Sequence, residues 1–306
     1  MGMHSVERCP ICGSVERTPV CDCVDPRSPG ARRFPVVRCS GCGTGYVASG
    51  PVDAELADYY PPDYAGYSAG RSRSSQVFLK ILRTLRGDQV GSTLGVPILG
   101  PRTGERRALD VGIGGGGLAL QMAHRGWSVY GIDFTRPGPS SAFRAEVQFV
   151  QARAGQPPFA NASFDLIVAS HVLEHLYDPL EALRSFRSIL RPGGRLVIGV
   201  PNFDSFPSRL FHRATYDFLD VPRHLVFFTP SSLRRALNAM EFTESVTDTI
   251  PSPALLPTLF QRLGPRGGQL TRGRLGAAVN GLSFPLDLAT QTGESGCNIT
   301  AIATRA

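Results

Sequence analysis

Ala108-Leu109-Asp110-Val111-Gly112-Ile113-Gly114-Gly115-Gly116-Gly117 decides the fold of this chain. A short apolar run ends in an acid, five glycines follow within six residues, and a helical pattern opens at Gly117–Arg125. The order is strand, tight loop, helix. Glycines let the main chain approach a ligand closely, and the first turn of the helix aims N–H groups at it.

Working outward, short apolar strands alternate with helices, which predicts a mostly parallel sheet. The expected strands are Ala108–Val111, Ser128–Ile132, Val147–Val150, Asp165–Ala169 and Arg195–Val200, with two more near Glu244–Thr249 and Asn298–Thr304. The fold class is therefore α/β, a Rossmann-like seven-stranded sheet. Helices are expected at Pro179–Leu190, which ends on the stop signal Arg191-Pro192-Gly193-Gly194, and at Ser231–Met240 after Thr229-Pro230. The link from Phe134 to Glu146 holds two prolines and has room for a stunted helix only. Residues 251–296 give no readable element.

Six of the seven cysteines precede residue 43, which sets off a module over residues 1–50. Cys9-Pro-Ile-Cys12 and Cys39-Ser-Gly-Cys42 are two CxxC turns, each aiming two thiolates at one point. Together they predict a zinc-ribbon-like, four-sulfur structural zinc site with no open coordination position. Cys21 and Cys23 are the poorer-fitting alternative ligands. Residues 51–106 then carry Tyr59, Tyr60, Tyr64 and Tyr67, a helical pattern over Ser74–Arg86 and a Gly/Pro-rich linker; residues 107–306 form the main domain.

Two acids frame the glycine loop. Asp110 comes immediately before it, where it can receive a ligand's ammonium group, and Asp133 ends the next strand, where it can accept from both hydroxyls of a ribose. A nicotinamide oxidoreductase uses a similar loop but would need a constellation such as Tyr-x-x-x-Lys, and Lys80, the only lysine, lies outside the main domain. The arrangement resembles the class I methyltransferases from about residue 107 to 200, and more loosely to 245. Phe164-Asp165-Leu-Ile-Val-Ala-Ser170-His171-Val-Leu-Glu174-His175 is similar to that family's fourth-strand motif, and Leu190-Arg-Pro-Gly-Gly-Arg-Leu-Val-Ile to the motif entering its fifth strand. The resemblance implies S-adenosylmethionine as cofactor. Asp110, Gly112, Gly114 and Gly116 would lie along it, with Asp133 and Phe134 at its ribose, Gln151 and Ala152 at its adenine, and Ser170 and His171 lining the pocket. Gln151 stands where many relatives place an acid; an amide can still hydrogen-bond the adenine edge.

The cysteine module ahead of such a core is similar to the zinc-containing C-methyltransferases that act on deoxysugars. Their Glu-His base pair falls, by resemblance, on Arg223-His224, so the histidine matches and the glutamate does not. The candidate catalytic residues are accordingly His224, on an expected substrate lid, His175, and Tyr64 in the Tyr-rich segment. A packing and capping role competes for Glu174-His175. The expected activity is methyl transfer to carbon or oxygen of a small molecule, a sugar or natural-product intermediate. An RNA methyltransferase and a non-catalytic partner-binding protein remain as alternatives.

The net charge of +7 permits nucleic-acid binding, but the arginines are scattered singly or in pairs with no basic run, which argues against it. The sequence has no apolar stretch of the ~20 residues that span a bilayer and no secretory leader, so a cytoplasmic protein is expected. Oligomeric state is not encoded in any motif.

Overall fold

The computed structural model describes residues 2–25, 32–60, 99–104, 106–136, 146–211, 219–251, 254–262 and 273–306. Tyr64, the Ser74–Arg86 pattern, most of the Phe134–Glu146 link and the aromatics Tyr216 and Phe218 lie outside them.

The N-terminal part holds β1 (Met3–Ser5), β2 (Arg17–Val24), β3 (Arg33–Cys39), β4 (Gly45–Val47) and β5 (Ser49–Pro51), then the single turn α1 (Asp53–Leu56). The main part runs β6 (Arg107–Val111), α2 (Gly117–Ala123), β7 (Ser128–Asp133), β8 (Val147–Gln151), β9 (Phe164–Ser170), α3 (Pro179–Ile189), β10 (Leu190–Pro201) and α4 (Phe206–Leu210). It ends with β11 (Val226–Phe227), α5 (Pro230–Ala239), β12 (Phe242–Ile250), α6 (Leu255–Arg262), α7 (Gly273–Thr290) and β13 (Asn298–Arg305). The seven strands of the large sheet lie in the order β12-β13-β10-β9-β6-β7-β8. The five from β10 to β8 are parallel, while β13 pairs antiparallel with both β10 and β12.

Alternation along the central strands divides the core into two layers. Leu166 and Val168 of β9 pack with Leu118 and Met122 of α2 on one face. Ile167 and Ala169 pack with Leu183 and Phe186 of α3 and Leu233 of α5 on the other. Burying each such aliphatic or aromatic side chain contributes about 1.5–3 kcal/mol. Both covering helices start on strong signals. Asp178 caps α3 by accepting from Glu181 N at 2.9 Å, and Thr229 forms a capping box with Ser232 ahead of Pro230 in α5. Glu174 and His175 themselves lie in a single 3-10 turn, Leu173–His175, that has no side-chain cap.

Residues 251–296, unreadable in sequence, include α6 and α7. Buried Asp287 of α7 caps α6 by accepting from Ala254 N and Leu255 N, both at 3.1 Å. Among the described residues no helix is long and apolar enough to cross a membrane.

The small sheet has the order β11-β4-β3-β2, so its fourth strand comes from the main part of the chain. Val226 and Phe227 pair with Tyr46 and Gly45, and Val47 N donates to Leu225 O at 2.9 Å. A two-point ion pair, Arg38 Nη1 and Nη2 to Asp204 at 2.7 Å each, ties β3 to the segment after β10.

Candidate active site

The carboxyl ends of β6, β7, β8 and β9 bring the expected cofactor residues to one edge of the sheet. Gly112, Gly114 and Gly116 all adopt positive φ, and Gly116 is the left-handed residue from which α2 starts. A Cβ on Gly112 would come within 2.6 Å of Val172 Cγ2, so both conformation and space demand glycine there. Gly114 N donates to Asp133 Oδ2 at 3.1 Å, while Thr135 N and Oγ1 donate to Oδ1 at 3.1 and 3.2 Å. The end of β7 is thereby fastened to the loop after β6, and the carboxylate retains acceptor capacity for a ligand.

Asp110 is buried, and its Oδ2 has no hydrogen-bond partner among the described residues. Burial pushes its carboxyl up to about 8, with the Ala119 N–H opposing and the Asp133 charge adding. A buried acid at this edge with one oxygen unpartnered among the described residues fits a ligand that brings a positive charge. Asp133 and Gln151 are register partners on β7 and β8. Gln151 is exposed, and its amide donates to Phe134 O at 3.0 Å. Ala152 N donates to Asp133 O. Phe134 is 45% exposed at this rim.

Beyond β9, Ser170 is buried and its Oγ likewise has no partner among the described residues. His171 adopts φ +55°, a conformation uncommon for a side chain of its size. The turn that follows carries Glu174 and His175 into contact with His224. Glu174 is 1% exposed. One donor atom each from Glu174, His175 and His224 lies within 4.8 Å of the others, and the His175 and His224 rings meet edge to face at 4.7 Å. His171 Nδ1 is 3.1 Å from Glu174 Oε1, an approach too poorly aligned to count as a hydrogen bond, since both carboxylate oxygens lack one among the described residues. Burial pushes the Glu174 carboxyl up, but His171 beside it and the charges of His175 and His224 outweigh burial and hold it at about 2. Burial, with His175 adding, takes His224 down to about 4 against the pull of Glu174 and Asp220. At neutral pH the cluster thus pairs a carboxylate with a neutral imidazole whose Nδ1 has no partner among the described residues.

His224 was expected on a lid; it is instead 8% exposed and leads into β11. The difference follows from Val221, Leu225, Val226 and Phe228 around it, all buried, which anchor this stretch in the core. Tyr60 belongs to the Tyr-rich segment, which by resemblance faces the substrate. Its hydroxyl lies 2.9 Å from His175 Nδ1, a tie across 115 residues that no local pattern could reveal.

In the N-terminal module, Gly13 N donates to Cys9 O and Gly43 N to Cys39 O, at 2.9 and 3.0 Å. The same turn is made twice, each closed by a glycine at positive φ. The sulfurs of Cys9, Cys12, Cys39 and Cys42 all lie within 4.8 Å of one another; Cys9 and Cys42 are 3.6 Å apart and Cys12 and Cys39 3.4 Å. Zinc bound tetrahedrally at ~2.3 Å requires sulfur separations of about 3.8 Å, so the donor set fits that ion. Cys21 and Cys23, the alternative ligands, sit together on β2 and outside this group.

A family model described as a methyltransferase domain matches residues 82–245, more than half of the chain. The ubiquinone biosynthesis O-methyltransferase of Aeromonas salmonicida is 33% identical over 143 residues, covering 42% of this chain and 60% of its own length. The protein of that name from Xanthomonas campestris is 29% identical over 184 residues, covering 53% and 70%. The chain spans less than two thirds of the Aeromonas relative's length. Among solved structures, a SAM-dependent methyltransferase from Archaeoglobus fulgidus aligns with a TM-score of 0.48 at 19% identity, over 75% of this chain and 94% of that one.

Proposed function

Since the chain belongs to the methyltransferase domain family, we propose that it transfers a methyl group from S-adenosylmethionine to a hydroxyl oxygen of a small molecule, with His224 as the proton acceptor. The observation that carries the choice of oxygen is the buried cluster of Glu174, His175 and His224 beside the carboxyl edge of the sheet. The relatives named O-methyltransferases support the same choice. The relatives' names carry neither a sugar nor an RNA acceptor.

Bound S-adenosylmethionine supplies an electrophilic methyl. Asp110 would receive its ammonium, Asp133 would accept from its ribose, and Gln151 and Ala152 would edge its adenine. A hydroxyl is a poor nucleophile until its proton leaves. His224 would take that proton, and the Glu174 carboxylate would stabilise the imidazolium that results. Cys9, Cys12, Cys39 and Cys42 would hold a structural zinc ion, which would fix the small sheet and, through β4, the strand that follows His224.

Replacing His224 by Ala is expected to lower kcat by about 10²–10⁴-fold and leave the cofactor dissociation constant unchanged. Unchanged turnover in that variant would remove His224 from the mechanism.

Cofactor affinity should depend on pH through Asp110. In the free protein this group is protonated below about 8, and a ligand ammonium favours its ionised form, so binding releases a proton. Affinity therefore rises with pH toward 8, then falls as the ligand's own amino group, with an ordinary pKa of about 8, loses its charge. Calorimetry of Asp110→Asn should keep the alkaline limb and lose the acidic one; an acidic limb that persists would point to another group.

A further inference from the structure

Arg223 stands where the resembling sugar enzymes carry a glutamate, and it is 0% exposed. A guanidinium without solvent is tolerable only if its donors are met. Nε donates to Asp220 Oδ1 at 2.9 Å, Nη2 to Asp25 Oδ1 at 2.8 Å, and Nη1 to Tyr59 O at 3.0 Å. Asp25 and Asp220 are themselves buried. The clamp joins the end of β2, the segment before Tyr60 and the loop before β11, three stretches far apart in sequence.

The side chain of Arg223 is thus turned into the clamp, and its main chain faces the cluster. His175 Nδ1 lies 2.9 Å from Arg223 O. A carbonyl oxygen only accepts, so the nitrogen must carry the proton, and the Tyr60 hydroxyl at 2.9 Å from the same nitrogen receives it as a second acceptor. A neutral imidazole with hydrogen on Nδ1 has its lone pair on Nε2.

We infer that Arg223, clamped by Asp25 and Asp220, is a positioning residue that holds His175 as the Nδ1–H tautomer, so that Nε2 is a second proton acceptor beside His224. The N-terminal module also contributes to the site directly, through Asp25. The consequence for turnover rests on the methyl-transfer reading above; the tautomer itself does not.

The test is a long-range ¹⁵N–¹H spectrum of the full-length protein labelled at its six histidines, with His175 assigned by its disappearance in His175→Gln. The expected signature at a pH where the ring is neutral is a protonated Nδ1 and a pyridine-like Nε2. Hydrogen on Nε2 in the unaltered protein overturns the inference, whatever any variant does. Asp25→Asn and Arg223→Lys each loosen the clamp. Each is expected to give a mixture of tautomers and about a tenfold loss of kcat, with the S-adenosylmethionine dissociation constant unchanged. A folded variant of either kind that keeps the pure tautomer overturns the role of Arg223. The expected tautomers together with no methyl transfer to any hydroxyl would leave the clamp standing and remove the proposed function instead.

Discussion

Exchanging Cys39 for serine, or withdrawing the metal with a chelator, is expected to unfold the N-terminal module and to abolish methyl transfer with it. Zinc held by four thiolates contributes on the order of 10–16 kcal/mol in small metal-dependent modules, more than a packed core of this size supplies. The module has no closed core of its own: Phe34, Val36 and Val47 complete their cluster against Phe203, Leu219, Val221 and Phe227 of the main part. Loss of the four-sulfur knot frees β3 and β4, and with them the β4–β11 pairing that immediately follows His224. The cofactor edge is built from other strands, β6 to β9, so binding of S-adenosylmethionine should survive metal removal. Circular dichroism, cofactor titration and activity measured on the same metal-free sample separate these effects. Full activity in a sample shown to lack metal would contradict a structural zinc.

Asp133→Ala should weaken S-adenosylmethionine about 100-fold. Two hydrogen bonds from ribose hydroxyls to a carboxylate are worth roughly 1.5 kcal/mol each or more, and about 2.7 kcal/mol corresponds to two powers of ten. The variant also releases Gly114 N, Thr135 N and Thr135 Oγ1 from their shared acceptor, which loosens the loop that the glycines shape. Asp133→Asn keeps an acceptor at the same place and should recover part of the loss. Equal affinity in the alanine variant would place the ribose elsewhere.

The parallel sheet could be read from sequence because strands buried on both faces are continuous apolar runs, such as Leu166–Ala169, punctuated by glycine loops. The cysteine turns could be read because ligand geometry depends on spacing that is local in the chain. Three features escaped. Helix α7 shows weak segregation of apolar residues, and its Asp287 caps a helix that begins 32 residues earlier. His224 was placed on a lid because aromatic residues near a strand edge suggest one, yet the apolar residues flanking it carry it into the core. Arg223 was noticed only as a departure from a glutamate. Its meaning depends on Asp25, 198 residues away, and no pattern within the chain announces a partner at that distance.

Direct titration of the purified, metal-loaded protein with S-adenosylmethionine, followed by its demethylated product, tests the central claim most directly. Saturable binding in the micromolar range, about 8 kcal/mol, and its weakening in Asp133→Ala are the predicted results. Absence of binding to a protein shown to be folded would contradict the assignment of this glycine loop and its two acids to a methyl donor.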